Sequence, residues 1–342
     1  MNLLVTGGAG FIGSNFVRLR RRTRPADHLV VLDALTYAGN LASLEDVDGF
    51  AFVKGDICDA QLVEQTLVDH RIEAVVHFAA ESHVDRSILG PGAFVRTNVT
   101  GTATLLEKAR AASVKRFVHV STDEVYGDLG PADPAFTEKT PLHPHSPYSA
   151  SKAGSDLLVQ AWFDTYRFPT LITRCSNNYG PYQFPEKLIP LMVLNALSDT
   201  PLPVYGNGLN VRDWIHVEDH CAAVERVLDA GREGQVYNIG GRSERTNLEI
   251  VRQILNILGK PESLIRFVAD RPGHDRRYAI DDTKIERELG WVRSRKLDEG
   301  LRATVDWYRE NEGWWQSIRS GDYLSWYERN YKQRGVAEHL AS

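Results

Sequence analysis

The chain has 342 residues, a formal net charge of −5, 42% hydrophobic residues and 25% charged residues, the composition of an ordinary globular protein with one large domain or two smaller ones. The acidic balance argues against general nucleic-acid binding, and no apolar run approaches the ~20 residues that a membrane helix needs. Three widely spaced cysteines predict a reducing compartment without disulfides, and an N-terminus without a signal-peptide pattern leads us to expect a cytoplasmic protein.

The N-terminal segment has the pattern of a dinucleotide-binding strand–turn–helix unit. A short apolar strand comes first, a glycine-rich turn follows, and a helix is predicted over 14–22. Two patterns fit the turn: G-x-G-x-x-G starting at Gly8 and G-x-x-G-x-x-G starting at Gly7, both running through Gly10 to Gly13. Glycines here permit a tight turn and a close approach of backbone amides to a pyrophosphate.

A second predicted strand, 28–33, ends in Asp33, 20 residues after Gly13. A carboxylate at this distance can accept hydrogen bonds from the adenosine ribose. It would repel a 2′-phosphate, so the pattern favours NAD over NADP. The alternative for Asp33 is a helix N-cap or a turn residue.

Predicted strands and helices alternate through the first half of the chain. Further strands are predicted at 50–57, 72–80, 116–120 and 171–174. Helical stretches are predicted at 61–69, 99–112 and 147–166. This alternation predicts an α/β fold with a Rossmann-type, doubly wound parallel sheet.

An arginine-rich run, 18–24, closes the first predicted helix. Cations suit the carboxyl end of a helix dipole, so a solvated helix end is the simpler interpretation. A patch for an anionic partner is the alternative.

Two adjacent acids, Asp123 and Glu124, follow Thr122 at the end of the predicted strand 116–120. Burying such acids without partners costs desolvation energy. The carboxyl edge of a parallel sheet is also where ligands bind. Two acids whose environments push their pKa values apart can act as a general acid and a general base.

Tyr148 and Lys152 lie four residues apart and therefore share one face of the predicted helix 147–166. An ammonium beside a phenol predicts a lowered tyrosine pKa. Such a tyrosine can take a proton from a substrate alcohol while hydride leaves the same carbon. The alternative is an ordinary surface pair.

The composition changes after residue 175 to prolines, glycines and short strands. We predict a NAD-binding domain over 1–175 with return segments near 211–240, interleaved with a smaller domain over 176–330. The segment 270–278 clusters cations, which is compatible with phosphate binding or with a solvated loop.

Two further groups are expected to be structural. His143 and His145 have no nearby carboxylate or cysteine in sequence to complete a ligand set, so no metal is expected. The tail tryptophans are expected to pack closing helices; they are Trp307, Trp314, Trp315 and Trp326.

The glycine-rich turn, Asp33 and the Tyr148–Lys152 pair together resemble the extended short-chain dehydrogenase/reductase family. Several segments are similar, more narrowly, to the nucleotide-sugar 4,6-dehydratases of that family; they are 36–40, 79–87, 121–124, 177–182, 185–190, 212–216 and 270–274. The matching segments run from residue 3 to about residue 290, and the tail after about residue 318 is less familiar.

The resemblance implies an NAD-dependent hydro-lyase that converts dTDP-D-glucose to dTDP-4-keto-6-deoxy-D-glucose and water, for deoxysugar biosynthesis. Tyr148 would take the C4 hydroxyl proton, Glu124 would remove the C5 proton, and Asp123 would protonate the departing C6 hydroxyl. Thr122 and Lys152 would assist Tyr148. Because NAD is regenerated within the cycle, it would stay bound.

The resemblance also implies the binding residues. The cofactor would contact Gly7, Gly10, Phe11, Ile12, Gly13, Asp33, Leu35, Thr36, Asp56, Ile57, Ala79, Ala80, Ser82, Thr97, Tyr148, Lys152 and Asn178. The substrate would contact Ser82, Thr122, Asn177, Lys187, Leu188, Pro203, Tyr205, Arg212, Asn247, Arg271, His274 and Tyr278. A homodimer through a four-helix bundle is implied, with helices near 99–112 and 148–166 from each subunit.

Two other functions remain open. Another NAD-dependent nucleotide-sugar enzyme of the family, such as a 4-epimerase or a decarboxylase, would need the Tyr148–Lys152 pair but not Asp123 and Glu124 as an acid–base couple. A non-catalytic NAD-binding regulator on the same fold is the other, since the fold alone does not define function.

Overall fold

The computed structural model describes residues 1–318 and 330–331. The strands are β1 (Asn2–Thr6), β2 (His28–Asp33), β3 (Phe50–Lys54), β4 (Ala74–His77), β5 (Arg116–Thr122), β6 (Thr170–Cys175), β7 (Asn177–Tyr179), β8 (Leu202–Tyr205), β9 (Val211–His216), β10 (Val236–Ile239), β11 (Glu244–Thr246) and β12 (Ile265–Val268). The helices are α1 (Phe11–Thr23), α2 (Ala60–Asp69), α3 (Val84–Leu89), α4 (Pro91–Phe94), α5 (Thr102–Ala111), α6 (Pro147–Tyr166), α7 (Leu188–Leu197), α8 (Val217–Ala230), α9 (Asn247–Leu258), α10 (Thr283–Leu289), α11 (Leu297–Glu310) and α12 (Glu312–Ile318).

Seven strands form one sheet in the order β10-β6-β5-β4-β1-β2-β3. Every neighbouring pair in this sheet is parallel. The strand order reverses between β1 and β4, and a doubly wound sheet opens a crevice for ligands at that point. This confirms the predicted Rossmann-type fold, and β10 forms the edge of the sheet beside β6.

The strands of this sheet are apolar along their length because both faces are covered. Leu3 and Val5 face a core that includes side chains of α1 and α8, whereas Leu4 faces a core that includes side chains of α2, α5 and α6. Each fully buried Val or Leu contributes roughly 1.5–3 kcal/mol relative to an exposed one. The two cores therefore fix the sheet edge at which the site is built.

A third core joins α7, α9 and α11 to β8. Trp315 is buried in it, and Trp307 and Trp314 pack against it, which confirms the predicted packing role for these three residues. Trp326 lies outside the described residues. A three-stranded sheet, β11-β9-β7, and a two-stranded sheet, β12-β8, complete the architecture.

Three local features differ from the sequence predictions. Helix α1 begins at Phe11, inside the glycine-rich turn, because Gly10 occupies its N-cap. A π-helical turn, Val95–Gly101, precedes α5, so the helix predicted over 99–112 is not one continuous α-helix. Helix α8 was not predicted, although acids in its first turn and its apolar spacing signal it.

Within the arginine-rich run at the end of α1, Arg20 is neither solvated nor available to an anionic partner. Arg20 is 1% exposed and forms ion pairs with Asp27, Glu225 and Asp229. Because Glu225 and Asp229 lie on α8, these pairs tie α1 to the unpredicted helix.

In the described part of the chain, no helix combines the length and apolarity needed to cross a bilayer. Cys58, Cys175 and Cys221 are free thiols.

Candidate functional site

A cleft of about 460 Å³ opens at the carboxyl edge of the large sheet. It is lined by most of the residues predicted from the sequence, namely Gly7, Gly10, Phe11, Ile12, Gly13, Asp33, Thr36, Asp56, Ile57, Ala79, Ala80, Ser82, Thr97, Thr122, Asp123, Glu124, Tyr148, Lys152, Asn177, Asn178 and Lys187. Side chains far apart in the sequence therefore meet because β1, β2, β4, β5 and β6 all end at this edge.

The glycine-rich turn forms one wall of the cleft. Gly7 has a left-handed backbone (φ +70°), and a Cβ there would lie 2.6 Å from the Ala79 backbone nitrogen. A Cβ on Gly13 would lie 2.2 Å from the Gly7 carbonyl oxygen. Gly8 does not line the cleft, so the pattern that starts at Gly7 is the one that faces a ligand.

Helix α1 starts in this wall and has no side-chain cap. Its first amides and its dipole therefore remain suited to an anion, as in dinucleotide sites where the pyrophosphate meets a helix N-terminus. The uncapped helix and the glycine wall, which has no room for a Cβ, fit the pyrophosphate of NAD.

Gly13→Ala should test this wall. Because the added Cβ would collide with backbone at 2.2 Å, we expect a loss of ~1–3 kcal/mol in the free energy of unfolding together with weakened NAD binding. Urea unfolding and calorimetric titration with NAD measure the two effects. Gly92→Ala is the control, since its Cβ would meet nothing within 4 Å; equal losses in both variants would contradict the prediction.

Asp33 ends β2 and supports the glycine turn directly. Its Oδ2 accepts a hydrogen bond from the Ala9 amide (2.9 Å) and its Oδ1 accepts one from the Leu35 amide (2.8 Å). Burial raises the pKa of Asp33, and these two amides counteract the rise. Leu35 does not line the cleft within the described chain; its amide helps to hold Asp33. The assignment of Leu35 to the cofactor stays a prediction.

Two local caps place the catalytic candidates. Ser146 caps α6 through a capping box with Ser149, and Pro147 is its first residue, so Tyr148 stands in the first turn. Thr122 caps a 3₁₀ turn over Asp123–Tyr126, with its Oγ1 accepting from the Glu124 amide at 3.3 Å. Both acids therefore come from one turn, directly after β5.

The sequence predicted a lowered pKa for Tyr148, and this prediction is wrong. Burial raises that pKa well above 10, and the charge of Glu124 adds to the rise, whereas a hydrogen bond with Thr122 counteracts it. Lys152 Nζ donates to the Val120 carbonyl oxygen at 2.8 Å. Burial lowers the pKa of Lys152 to about 8.

Asp123 and Glu124 are adjacent in sequence but differ in surroundings. Burial raises the pKa of Asp123 well above its ordinary value, and the charges of Glu124 and Asp213 add to this. Its Oδ2 is buried and has no hydrogen-bond partner among the described residues. Burial also raises the pKa of Glu124, but three cations counteract it, namely Arg271, Lys187 and Arg212. Asp123 is therefore suited to hold a proton and Glu124 to accept one.

Asp123→Asn should stabilise the protein increasingly as the pH rises. Because folding raises the pKa of Asp123 above 3.8, the folded state holds this proton more tightly, and the free energy of unfolding falls as the pH rises above 3.8. The amide lacks this dependence. The difference in Tm between variant and parent should grow from about pH 4 to pH 8. Asp48→Asn, at an exposed position, is the control. A constant difference, or an equal gain in Asp48→Asn, would contradict the prediction.

A cationic group borders the cleft beside Glu124. Lys187 Nζ donates to the Ser82 carbonyl oxygen at 2.7 Å. The guanidinium of Arg212 lies 4.4 Å from the centre of the Tyr278 ring, and the Tyr278 hydroxyl donates to Asp275 Oδ2. This arrangement suits the diphosphate of a nucleotide sugar.

Residues near Arg271 form a second polar group, the Asp85 cluster (Asp85, Tyr205, Arg271 and Asn330). Tyr205 donates to Asp85 Oδ2 at 2.6 Å, and Arg271 Nη1 lies 3.6 Å from Asp85 Oδ1. Asn330 donates to the Tyr205 hydroxyl at 2.8 Å. Arg271 and Tyr278 are thus enclosed by other side chains, so the segment 270–278 is not simply a solvated loop.

Several predicted substrate residues do not line the cleft in the described part of the chain. Arg212, Arg271 and Tyr278 lie close enough to Glu124 to interact with it electrostatically, and His274 pairs with Asp270 at 2.6 Å. The others stand in structural positions: Leu188 packs on the third core, Pro203 and Tyr205 lie on β8, and the Asn247 amide donates to the Asn210 carbonyl oxygen. Their substrate contacts stay predictions.

One polar group in the lining of the cleft was not predicted from the sequence. Glu81 and Glu186 line the cleft, and Arg86 Nε donates to Glu186 Oε2 at 3.0 Å while its guanidinium lies 4.0 Å from the Tyr37 ring centre. Glu81 was signalled by its position just after β4, at the same sheet edge.

The predicted absence of a metal at His143 and His145 concerns another loop. His143 and His145 are hydrogen-bonded to each other (3.1 Å), and His145 is hydrogen-bonded to Asp275 (2.6 Å). No three His, Cys, Asp or Glu side chains among the described residues are arranged so that they could hold a metal ion.

Comparisons with known proteins agree with this geometry. A model of the GDP-mannose 4,6 dehydratase family matches residues 4–304. A dTDP-glucose 4,6-dehydratase from Neisseria meningitidis serogroup B is 54% identical over 345 residues, covering 94% of this chain and 97% of that protein.

Solved structures show the same relationship. DesIV, a dTDP-glucose 4,6-dehydratase from Streptomyces venezuelae solved with NAD and dTDP bound, superposes with a TM-score of 0.90 at 55% identity, covering 93% of this chain and all of that one. A UDP-glucose 4-epimerase from Thermotoga maritima, solved with UDP-glucose, has a TM-score of 0.85 at 30% identity, covering 91% of this chain and all of that one. The fold is thus shared widely, and the higher identity is to the dehydratases.

Proposed function

Because this chain belongs to the family of the dTDP-glucose 4,6-dehydratases, we propose that its cleft converts dTDP-D-glucose to dTDP-4-keto-6-deoxy-D-glucose and water. Bound NAD⁺ supplies the acceptor for the C4 hydride and returns that hydride to C6. The glycine wall, the N-terminus of α1 and Asp33 hold it, and Lys152 holds its nicotinamide ribose. The protein is therefore a hydro-lyase that does not consume its cofactor.

The first step is proton removal from the C4 hydroxyl by Tyr148. The raised pKa of Tyr148 means that this phenol needs help to act as a base. Help comes from the Thr122 hydroxyl and from the positive charges of Lys152 and a bound nicotinamide. The resulting C4 ketone acidifies the C5 proton.

The second step is loss of water across C5 and C6. Glu124 takes the C5 proton, Asp123 gives a proton to the C6 hydroxyl as the C6–O bond breaks, and a C5–C6 double bond forms. Hydride then returns to C6 and Glu124 returns its proton to C5. Over the cycle Tyr148 gains a proton and Asp123 loses one; Thr122, hydrogen-bonded toward both, lies where it can pass that proton on.

One arrangement carries the proposal: Asp123, whose pKa burial raises well above its ordinary value and whose buried Oδ2 has no hydrogen-bond partner among the described residues, stands beside Glu124, whose carboxyl interacts with three cations. An epimerase or a decarboxylase does not require such an acid–base couple. A non-catalytic regulator would not require Tyr148 and Lys152 either.

Incubation with NAD and, side by side, dTDP-, UDP-, CDP- and GDP-glucose tests the function and its nucleotide preference. We expect a 4-keto-6-deoxy product, identified by mass spectrometry and NMR, formed fastest from dTDP-glucose. dTDP-galactose as the sole product would instead support a 4-epimerase, and no product from any sugar would support a regulator.

We also propose a cytoplasmic homodimer. Large apolar side chains are exposed on α3, the π-helical turn and α6, namely Leu89, Val95, Leu157 and Tyr166. A bundle that pairs α6 and the helix around α5 with their copies in a second subunit would cover this face. Sedimentation analysis of Leu157→Glu and of the parent measures this pairing of subunits. A parent that sediments as a monomer would contradict the proposed dimer.

A further inference from the structure

A buried polar network lies behind Lys152, on the face of α6 that packs against β5 and β6. Asp156 follows Lys152 by four residues and so lies one turn further along the same helix face. It is completely buried. Its Oδ2 accepts a hydrogen bond from Arg174 Nε at 2.8 Å, and its Oδ1 lies 3.4 Å from His119 Nε2. Asp156 therefore faces Arg174 on one side and His119 on the other.

His119 connects Asp156 to Lys152. Its Nε2 lies 3.1 Å from Ser155 Oγ and 3.5 Å from Lys152 Nζ. Ser155 Oγ also donates to the Lys152 carbonyl oxygen at 2.8 Å. Burial lowers the pKa of His119 to about 4, so the ring is neutral. The charges that face each other are therefore Asp156 and Lys152.

Lys152 needs a nearby negative charge to stay ionised. Its ammonium is almost fully buried, burial lowers its pKa to about 8, and the charge of Asp156 counteracts that fall. Other titratable or charged side chains also face this region, namely His77 from β4, His119 from β5, Tyr126 from the 3₁₀ turn, and Arg174 and Cys175 from β6. Of these, Arg174 opposes Asp156 because it neutralises part of its charge.

We propose that Asp156 is a positioning residue whose carboxylate, close to Lys152 beside Nε2 of the neutral His119, keeps Lys152 Nζ protonated at neutral pH. The inference rests on the role of Lys152 in the proposed function. In a low-dielectric interior, a buried ammonium remains charged only when a carboxylate lies near it. Asp156 itself touches neither the cleft nor a substrate, so it acts through Lys152.

The titration of Lys152 tests this directly. In protein labelled with ¹³Cε-lysine, the Lys152 resonance is assigned by its absence from Lys152→Met, and its chemical shift is followed against pH. We expect a midpoint near 8 in the parent. Asp156→Asn should lower that midpoint by about one pH unit or more. Arg174→Gln should raise that midpoint, because no guanidinium then offsets the negative charge of Asp156 near Lys152.

The double variant separates this role from a purely structural one. If Asp156 only neutralises Arg174, the Asp156→Asn/Arg174→Gln double variant has the midpoint of Arg174→Gln alone; that result overturns the proposal. The Asp156→Asn/Arg174→Gln double variant lacks the unpaired buried cation, so it replaces Asp156→Asn should the latter not fold. In the double variant the proposal requires a midpoint below that of Arg174→Gln alone.

Product formation from dTDP-glucose gives a second measurement. The alkaline limb of the kcat profile should move down with the Lys152 midpoint in Asp156→Asn, while the rates of variant and parent converge toward about pH 6. A uniform loss of rate at every pH would contradict the proposal. Failure of the proposed function appears differently, as a parent that forms no product although its Lys152 midpoint depends on Asp156.

Discussion

Glu124→Gln is expected to oxidise dTDP-glucose at C4 and then stop. The amide cannot accept the C5 proton, so elimination should slow by about 10²–10⁴-fold, the usual contribution of a general base. Oxidation at C4 depends on Tyr148 and should continue. The measurement is stopped-flow absorbance of NADH, which should rise on mixing and then persist, together with loss of deuterium exchange at C5 in D₂O.

Asp123→Asn is the matched comparison, because it changes the neighbouring acid of the same turn. It should retain C5 exchange, since Glu124 is intact, but should slow the departure of water. If Glu124→Gln exchanged C5 at the full rate, or if both variants lost exchange equally, the division of labour between the two acids would be wrong.

Tyr148→Phe is expected to abolish the first step. Without the phenol no group takes the C4 hydroxyl proton, and turnover should fall by about 10²–10⁴-fold. Because this step precedes all others, no NADH signal should rise on mixing, in contrast to Glu124→Gln. The stopped-flow trace on dTDP-glucose checks this.

Binding provides the control for the tyrosine variant. Tyr148 is packed against Phe94 (ring centres 6.3 Å apart), a contact that phenylalanine preserves, so NAD and substrate affinities measured by calorimetry should match those of the parent. Unchanged C4 oxidation in Tyr148→Phe would remove the tyrosine from the base role.

Much of the fold was predictable because its signals are local. The strands 2–6 and 28–33 are apolar runs bounded by glycine or acid, and the helix 147–166 begins with Ser146 and Pro147, so the structure has the same bounds. The sheet edge followed from the pattern, because parallel strands bring their carboxyl ends together.

The electrostatics of the site could not be predicted in the same way. Spacing of four residues places Tyr148 and Lys152 on one helix face, but it does not define burial or rotamer. Lys152 turns to the Val120 carbonyl, and burial reverses the expected direction of the Tyr148 pKa. The role inferred for Asp156 depends on His119, 37 positions earlier in the sequence, and no local pattern links the two.

Helix α8 and strand β10 are synthesised after the other elements of the large sheet, so the nascent chain passes through a stage without them. Cys221, Val224 and Val227 of α8 fill the core beneath β1 and α1, and β10 pairs with β6. When residue 175 leaves the ribosome, the part of that face which α8 covers is still exposed beside α1, and β6 is an open edge. At roughly 5–20 residues per second, several seconds pass before both are closed. During that interval the nascent chain presents the apolar surface and free strand edge that chaperones recognise.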